Sequence, residues 1–139
     1  MENHSMNALG WFSQMNWIPL LVIAVLWMAL LLWKRASFVS VATARQLLHS
    51  GALIIDVRSP EEFRSGHVAT AIHVPLGELS DRMPSLVGDV HKPLLVHCLS
   101  GGRSALAVKR LRELGYTEVY NLGSLSRAEA IAGSSGTLG

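Results

Sequence analysis

One stretch limits how this chain can fold more than any other: Trp17-Ile-Pro-Leu-Leu-Val-Ile-Ala-Val-Leu-Trp-Met-Ala-Leu-Leu-Leu-Trp33, which carries no charge and no polar face. As a helix rising about 1.5 Å per residue it spans roughly 25 Å. That is a little short of the roughly 30 Å hydrocarbon core of a bilayer, a gap that flanking side chains can bridge. A helix buried in a soluble core would keep a polar face, and a cleavable signal would have basic residues before its apolar run. Residues 1–16 contain no Lys or Arg, whereas Lys34 and Arg35 follow the run. The expectation is a retained transmembrane helix over residues 17–35, preceded by a short tail of residues 1–16. Trp11, Trp17 and Trp33 fall where interfacial aromatic belts sit, and Lys34 and Arg35 can turn their charges outward.

The rest of the 139-residue chain leaves room for one domain, residues 36–132. A Gly/Ser-rich tail, residues 133–139, is expected to be disordered. Twelve basic residues against ten acidic ones, with no basic stripe interleaved with aromatics, exclude a nucleic-acid partner. Apolar runs at residues 53–57 and 93–97 read as short buried strands, and residues 71–74 and 118–122 as two further short strands. They alternate with helical segments at residues 42–50, 61–65, 78–86 and 104–114, the third interrupted by Pro84. In the fourth, Ala105, Val108, Leu111 and Leu114 share one face, while Lys109, Arg110 and Arg112 face out. Alternation of this kind predicts an α/β fold, a parallel sheet flanked by helices on both faces and preceded by one transmembrane helix.

The chain has a single cysteine, which excludes an internal disulfide, a cysteine-based zinc cluster and a two-cysteine redox cycle. A buried thiol, a reactive thiol or an intermolecular partner remains. The sequence around it, His97-Cys-Leu-Ser-Gly-Gly-Arg-Ser104, lies between a strand and a helix, at the carboxyl edge where α/β proteins build their sites. Two glycines let the loop curl and aim successive N–H groups at one point. The N–H groups of Leu99, Ser100, Gly101, Gly102, Arg103 and Ser104, the start of a helix and the Arg103 cation all favour negative charge on the sulfur. These features mark Cys98 as a thiol of lowered pKa, in a cradle suited to an anion or a persulfide.

The segments Asp56-Val-Arg-Ser-Pro-Glu-Glu-Phe63, Phe63-Arg-Ser-Gly-His-Val68, Ala71-Ile-His-Val-Pro75 and Cys98 to Arg103, in that order, resemble the motifs of the rhodanese family. The resemblance runs from Phe38 to Ala132 and looks nearest to small bacterial single-domain rhodaneses. It departs at Ala69-Thr70, in place of Pro-Gly, and in the lack of a tryptophan after Gly123. With few residues after Leu125, the last helix is expected to be short or loosely held. Related phosphatases use a loop one residue longer than Cys98-x4-Arg103, so the shorter loop implies sulfur transfer.

By this resemblance the chain is a sulfurtransferase of the thiosulfate:cyanide type, with Cys98 and Arg103 catalytic. Cys98 takes a sulfane sulfur from thiosulfate or a similar small anionic donor and passes it, as a persulfide, to cyanide or a thiol. The backbone of residues 99–104 would hold that persulfide, and Arg103 would orient the donor. No metal and no organic cofactor are implied. Asp56 and Arg58 are expected to form a structural ion pair or to brace the active loop. His97 reads as strand-end filling, His67 and His73 as fold support, and His49 and His91 as surface residues. The alternative is a membrane-tethered carrier or docking module that holds a persulfide for an unidentified protein acceptor. The expected location is a bacterial inner membrane, crossed once, with the lipid bilayer as partner through residues 17–35. The positive-inside rule puts the domain on the cytoplasmic side, a periplasmic placement being the alternative.

Overall fold

The structure is a computed structural model and describes residues 16–135; it divides into two units, Met1–Ala36 and Ser37–Gly139. The expected tail of residues 1–16 thus lies outside the described residues up to residue 15, as do Trp11, residues 136–139 and the side chains of Trp33, Lys34 and Arg35.

In the first unit, α1 (Ile18–Ala36) forms where the apolar run predicts a helix. Its 19 residues rise about 28 Å along the helix axis. Among the described residues no helix is long and apolar enough to cross a membrane, so these residues do not meet the expectation of a transmembrane helix over residues 17–35. The large apolar side chains from Trp17 to Leu32 are each between 42% and 64% exposed.

The second unit is a four-stranded, wholly parallel sheet in the order β2-β1-β3-β4. The strands are β1 (Leu53–Asp56), β2 (Ile72–His73), β3 (Leu94–His97) and β4 (Val119–Gly123). Successive strand residues point to opposite faces, and each face is closed by helices. On one side Ile55, Val57, Leu94, Val96 and Cys98 pack against Leu79 and Met83 of α4 (Leu79–Leu86) and Ala107, Val108 and Leu111 of α5 (Gly102–Glu113). On the other, Ile54, Leu95 and Leu122 meet Ala44 of α2 (Val41–His49) and Ala128 and Ile131 of α6 (Leu125–Ser135). The expected α/β architecture, with helices on both faces of a parallel sheet, is present.

Local signals explain the boundaries. Ser40 caps α2, its hydroxyl accepting from the Thr43 N–H at 3.1 Å. Ser59 and Glu62 form a reciprocal capping box at the start of α3 (Pro60–Ser65), with Pro60 in the first turn. A 3-10 turn, Leu76–Glu78, leads into α4.

Four expectations need correction. α4 runs through Pro84, which sits on its exposed side and removes only one backbone donor. The buried face of α5 is Ser104, Ala107, Val108 and Leu111, whereas Ala105 and Leu114 are exposed. Arg110 and Arg112 do not simply face water: their guanidinium groups donate to the Leu76 carbonyl at 3.0 Å and the Val119 carbonyl at 2.8 Å. The last helix is longer and firmer than expected. α6 continues through Gly133 to Ser135 and seats Ala128 and Ile131 fully in the core.

Candidate active site

Strand register creates the site. Asp56 pairs with His97, and His97 with Gly123, so β1, β3 and β4 end together at one carboxyl edge. A bulge in the β3–β4 pairing follows Val96, where the partner of the next residue, His97, is Gly123 and not Leu122. The Cys98 N–H donates to the Gly123 carbonyl at 3.0 Å, fixing the first residue beyond β3.

From there the loop turns back under its own sulfur. Gly101 adopts a left-handed conformation (φ +100°) as the residue before α5. A side chain there would be strained and would also meet the Phe38 ring at 2.6–2.7 Å. Only glycine fits, and the turn brings the Gly101 N–H to 3.0 Å from Cys98 Sγ as a donor. No side chain caps α5, so the N–H groups of its first turn remain available to the sulfur.

Ser104 stands at the centre of a small buried network. Its Oγ lies 3.6 Å from Cys98 Sγ, 2.7 Å from Asn121 Oδ1 and 3.0 Å from the Gly101 carbonyl. Asn121 Oδ1 also accepts from the Gly123 N–H at 3.0 Å. One hydroxyl proton thus has several acceptors within reach and can turn to the sulfur when the thiol ionises. Burial pushes the Cys98 thiol up. The N–H and hydroxyl of Ser104, with the N–H groups of Gly101 and Ser100, outweigh it and hold the pKa below the ordinary cysteine value. Cys98 itself is 1% exposed, at the floor of the loop, while Leu99, Ser100 and Gly102 form its exposed rim.

The structure brings Arg103 to the same edge, but its guanidinium is engaged. Nη1 and Nη2 donate to Glu62 Oε2 and Oε1 at 2.6 and 2.7 Å, a bidentate pair that the sequence reading did not anticipate. The Arg103 bonds, with the Ser59 N–H, pull Glu62 down to about 2, so it stays a carboxylate.

Asp56 and Arg58 form the expected ion pair, 0% and 2% exposed, on the sheet face away from Cys98. The Arg58 Nε and Nη2 atoms reach the Asp56 carboxylate at 2.7–3.0 Å, and Nη2 also donates to the Gly66 carbonyl at 2.7 Å. His97 Nε2 lies 3.5 Å from Asp56 Oδ2. Burial lowers the His97 pKa despite the opposing pull of Asp56, so this is a dipolar contact and not a second ion pair. His67 and His73 stack on either face of Phe63, at centroid distances of 3.8 and 4.3 Å, which fits their expected support of the fold. Among the described residues no group of three or more His, Cys, Asp or Glu could hold a metal ion.

Sequence reasoning passed over three residues of the site. Phe38, given no role in the site, covers Gly101 and Gly123. Asn121 holds Ser104. Glu62 holds Arg103; the Ser59-x-x-Glu62 capping pattern marks only the start of α3 and gives no sign of that pairing.

A cysteine whose ionised form is favoured by a cradle of N–H donors is an arrangement for covalent transfer. The family model of the rhodanese-like domain matches residues 40–127. Thiosulfate sulfurtransferase PspE of Escherichia coli is 42% identical over 71 residues, 51% of this chain and 68% of that protein. Thiosulfate sulfurtransferase GlpE of Ectopseudomonas mendocina is 33% identical over 84 residues, 60% of this chain and 75% of that one. Among solved structures, the human single-domain sulfurtransferase TSTD1 superposes with a TM-score of 0.58 at 30% identity, covering 68% of this chain and 96% of its own. A rhodanese with anions from E. coli gives 0.54 at 39%, covering 55% and 91%. The chain belongs to the rhodanese-like domain family, and it is a sulfurtransferase.

Proposed function

We propose that the chain moves a sulfane sulfur, from thiosulfate or a donor like it, to a thiophilic acceptor through a persulfide on Cys98. The observation that carries this reading is the Gly101 N–H aimed at Cys98 Sγ from 3.0 Å, with Ser104 behind it. In the first step the Cys98 thiolate attacks the outer sulfur of thiosulfate. The S–S bond of the donor breaks, sulfite leaves with the bonding pair, and Cys98 retains the sulfur as a persulfide anion. The loop donors stabilise that charge as they do the thiolate. In the second step cyanide or a thiol attacks the outer sulfur and returns Cys98 as the thiolate. The chain's own residues supply the nucleophile and the donors, and the steps call for no metal or organic cofactor.

Thiocyanate formed from thiosulfate and cyanide by the full chain tests this reading. Turnover above the uncatalysed rate is expected, and production no faster than in buffer would overturn it.

The location is a second part of the proposal. A helix with large apolar side chains exposed along its length is poorly suited to water, which supports lipid as the cover of α1. Lys34 and Arg35 after the run favour a domain on the cytoplasmic side of a bacterial inner membrane. Flotation of the full chain with lipid vesicles checks the anchor, and recovery wholly in the aqueous fraction contradicts it.

A further inference from the structure

Arg103 is the one cation between Cys98 and Ser104, and both of its terminal nitrogens are bound to Glu62. A dianionic donor would have to displace that carboxylate to gain the guanidinium fork. Summing the groups at the edge, the Cys98 thiolate, Arg103 and Glu62 leave one net negative charge, since the Asp56–Arg58 pair cancels. A dianion therefore approaches against like charge, in a partly buried site where screening is reduced. The rim adds nothing to attract it: Leu99 is 55% exposed and apolar, and Ser100 beside it is neutral.

From this geometry we infer that Glu62 is a specificity-determining residue. By holding Arg103 it favours organic persulfides of low charge, R–S–SH, over dianionic thiosulfate. The inference rests on Cys98 as the persulfide-forming nucleophile. With such a donor the Cys98 thiolate attacks the terminal sulfur and the R–S–SH sulfur–sulfur bond breaks. R–S⁻ leaves with the bonding pair, and Cys98–S–SH keeps the proton. Neither partner needs to pry Arg103 from Glu62. Leu99 offers contact to the carbon group. The low pKa of Glu62 keeps its charge in place across the physiological range.

The test is the rate at which Cys98 gains one sulfur, followed by intact mass in single-turnover reactions without acceptor. Thiosulfate and 2-hydroxyethyl persulfide serve as the two donors. Glu62→Gln keeps an oxygen to accept from the Ser59 N–H but removes the charge, and Glu62→Asp keeps the charge. The ratio of the thiosulfate rate to the persulfide rate is expected to rise at least about tenfold in Glu62→Gln, equivalent to about 1.4 kcal/mol. In Glu62→Asp it should stay within about threefold of the parent chain. An unchanged ratio in Glu62→Gln, including a proportional fall with both donors, overturns the inference. Failure of the parent chain to take sulfur on Cys98 from either donor would instead overturn the persulfide reading on which it rests.

Discussion

Cys98→Ala is expected to lower thiocyanate formation at least about 1000-fold, to the uncatalysed rate. With the nucleophile gone, the loop donors have no sulfur to stabilise. The fold should survive. Cys98 contributes a small side chain to a cluster dominated by Ile55, Val96, Leu79 and Leu111, so the loss in stability should be about 1 kcal/mol and the melting temperature should fall only by several degrees. Thermal unfolding of the same preparation separates lost chemistry from lost structure. A variant that melts with the parent and still produces thiocyanate would exclude Cys98 as the reacting group. A parent chain that takes up sulfur but turns over slowly, with its alanine variant inert to sulfur, would identify the persulfide carrier.

The second large effect concerns stability. Arg58→Ala leaves the Asp56 carboxylate buried, with only the Arg58 backbone N–H at 3.0 Å and neutral His97 near it. Removing one partner of such a pair costs about 3–5 kcal/mol, since the remaining charge has no solvent. For a domain of this size the melting temperature should fall by more than about 10 °C. The loss also frees the Gly66 carbonyl, which Arg58 ties to the end of β1. Replacing both partners with uncharged side chains, Asp56→Asn with Arg58→Met, should cost less than Arg58→Ala alone. If the double variant were the less stable of the two, the cost would lie in lost packing rather than stranded charge. Differential scanning calorimetry on both decides it.

How much of this was legible in the sequence depended on the range of the interactions involved. Strands β1 and β3 appeared as apolar runs because a strand buried on both faces needs apolar side chains at nearly every position, and residues 53–57 and 93–97 largely satisfy that need locally. The Cys98 loop was equally legible, since two glycines, the strand before them and the helix after them are neighbours in the chain. The buried face of α5 was misjudged by one position. Helical periodicity favoured apolar Ala105, whereas the fold turns polar Ser104 inward, because Asn121 on β4, far along the chain, accepts its proton at 2.7 Å. Arg103 was read as a free cation for the same reason. Its partner Glu62 lies 41 residues earlier, and only the sheet brings α3 to the start of α5. Phe38 and the firm last helix were also long-range outcomes. Phe38 packs on glycines at residues 101 and 123, and α6 is secured by the core contacts of Ala128 and Ile131. A short list of neighbours along the chain carries no information about any of these.

Charge placement follows from the same long-range assembly. The field at Cys98 comes from backbone donors within the loop, so it survives whatever Glu62 does to Arg103. The choice among donors comes from a carboxylate outside the loop. Nucleophilicity and selectivity therefore have separate origins in this site, one set by the curl at Gly101 and the other by the first turn of α3.

The most direct test of the central claim is the mass of the intact chain after a pulse of thiosulfate with no acceptor present, with the modified residue located by peptide mapping. One sulfur added on Cys98, removed by cyanide as thiocyanate, is the predicted result. A chain whose mass does not change, or one modified at a residue other than Cys98, would contradict it.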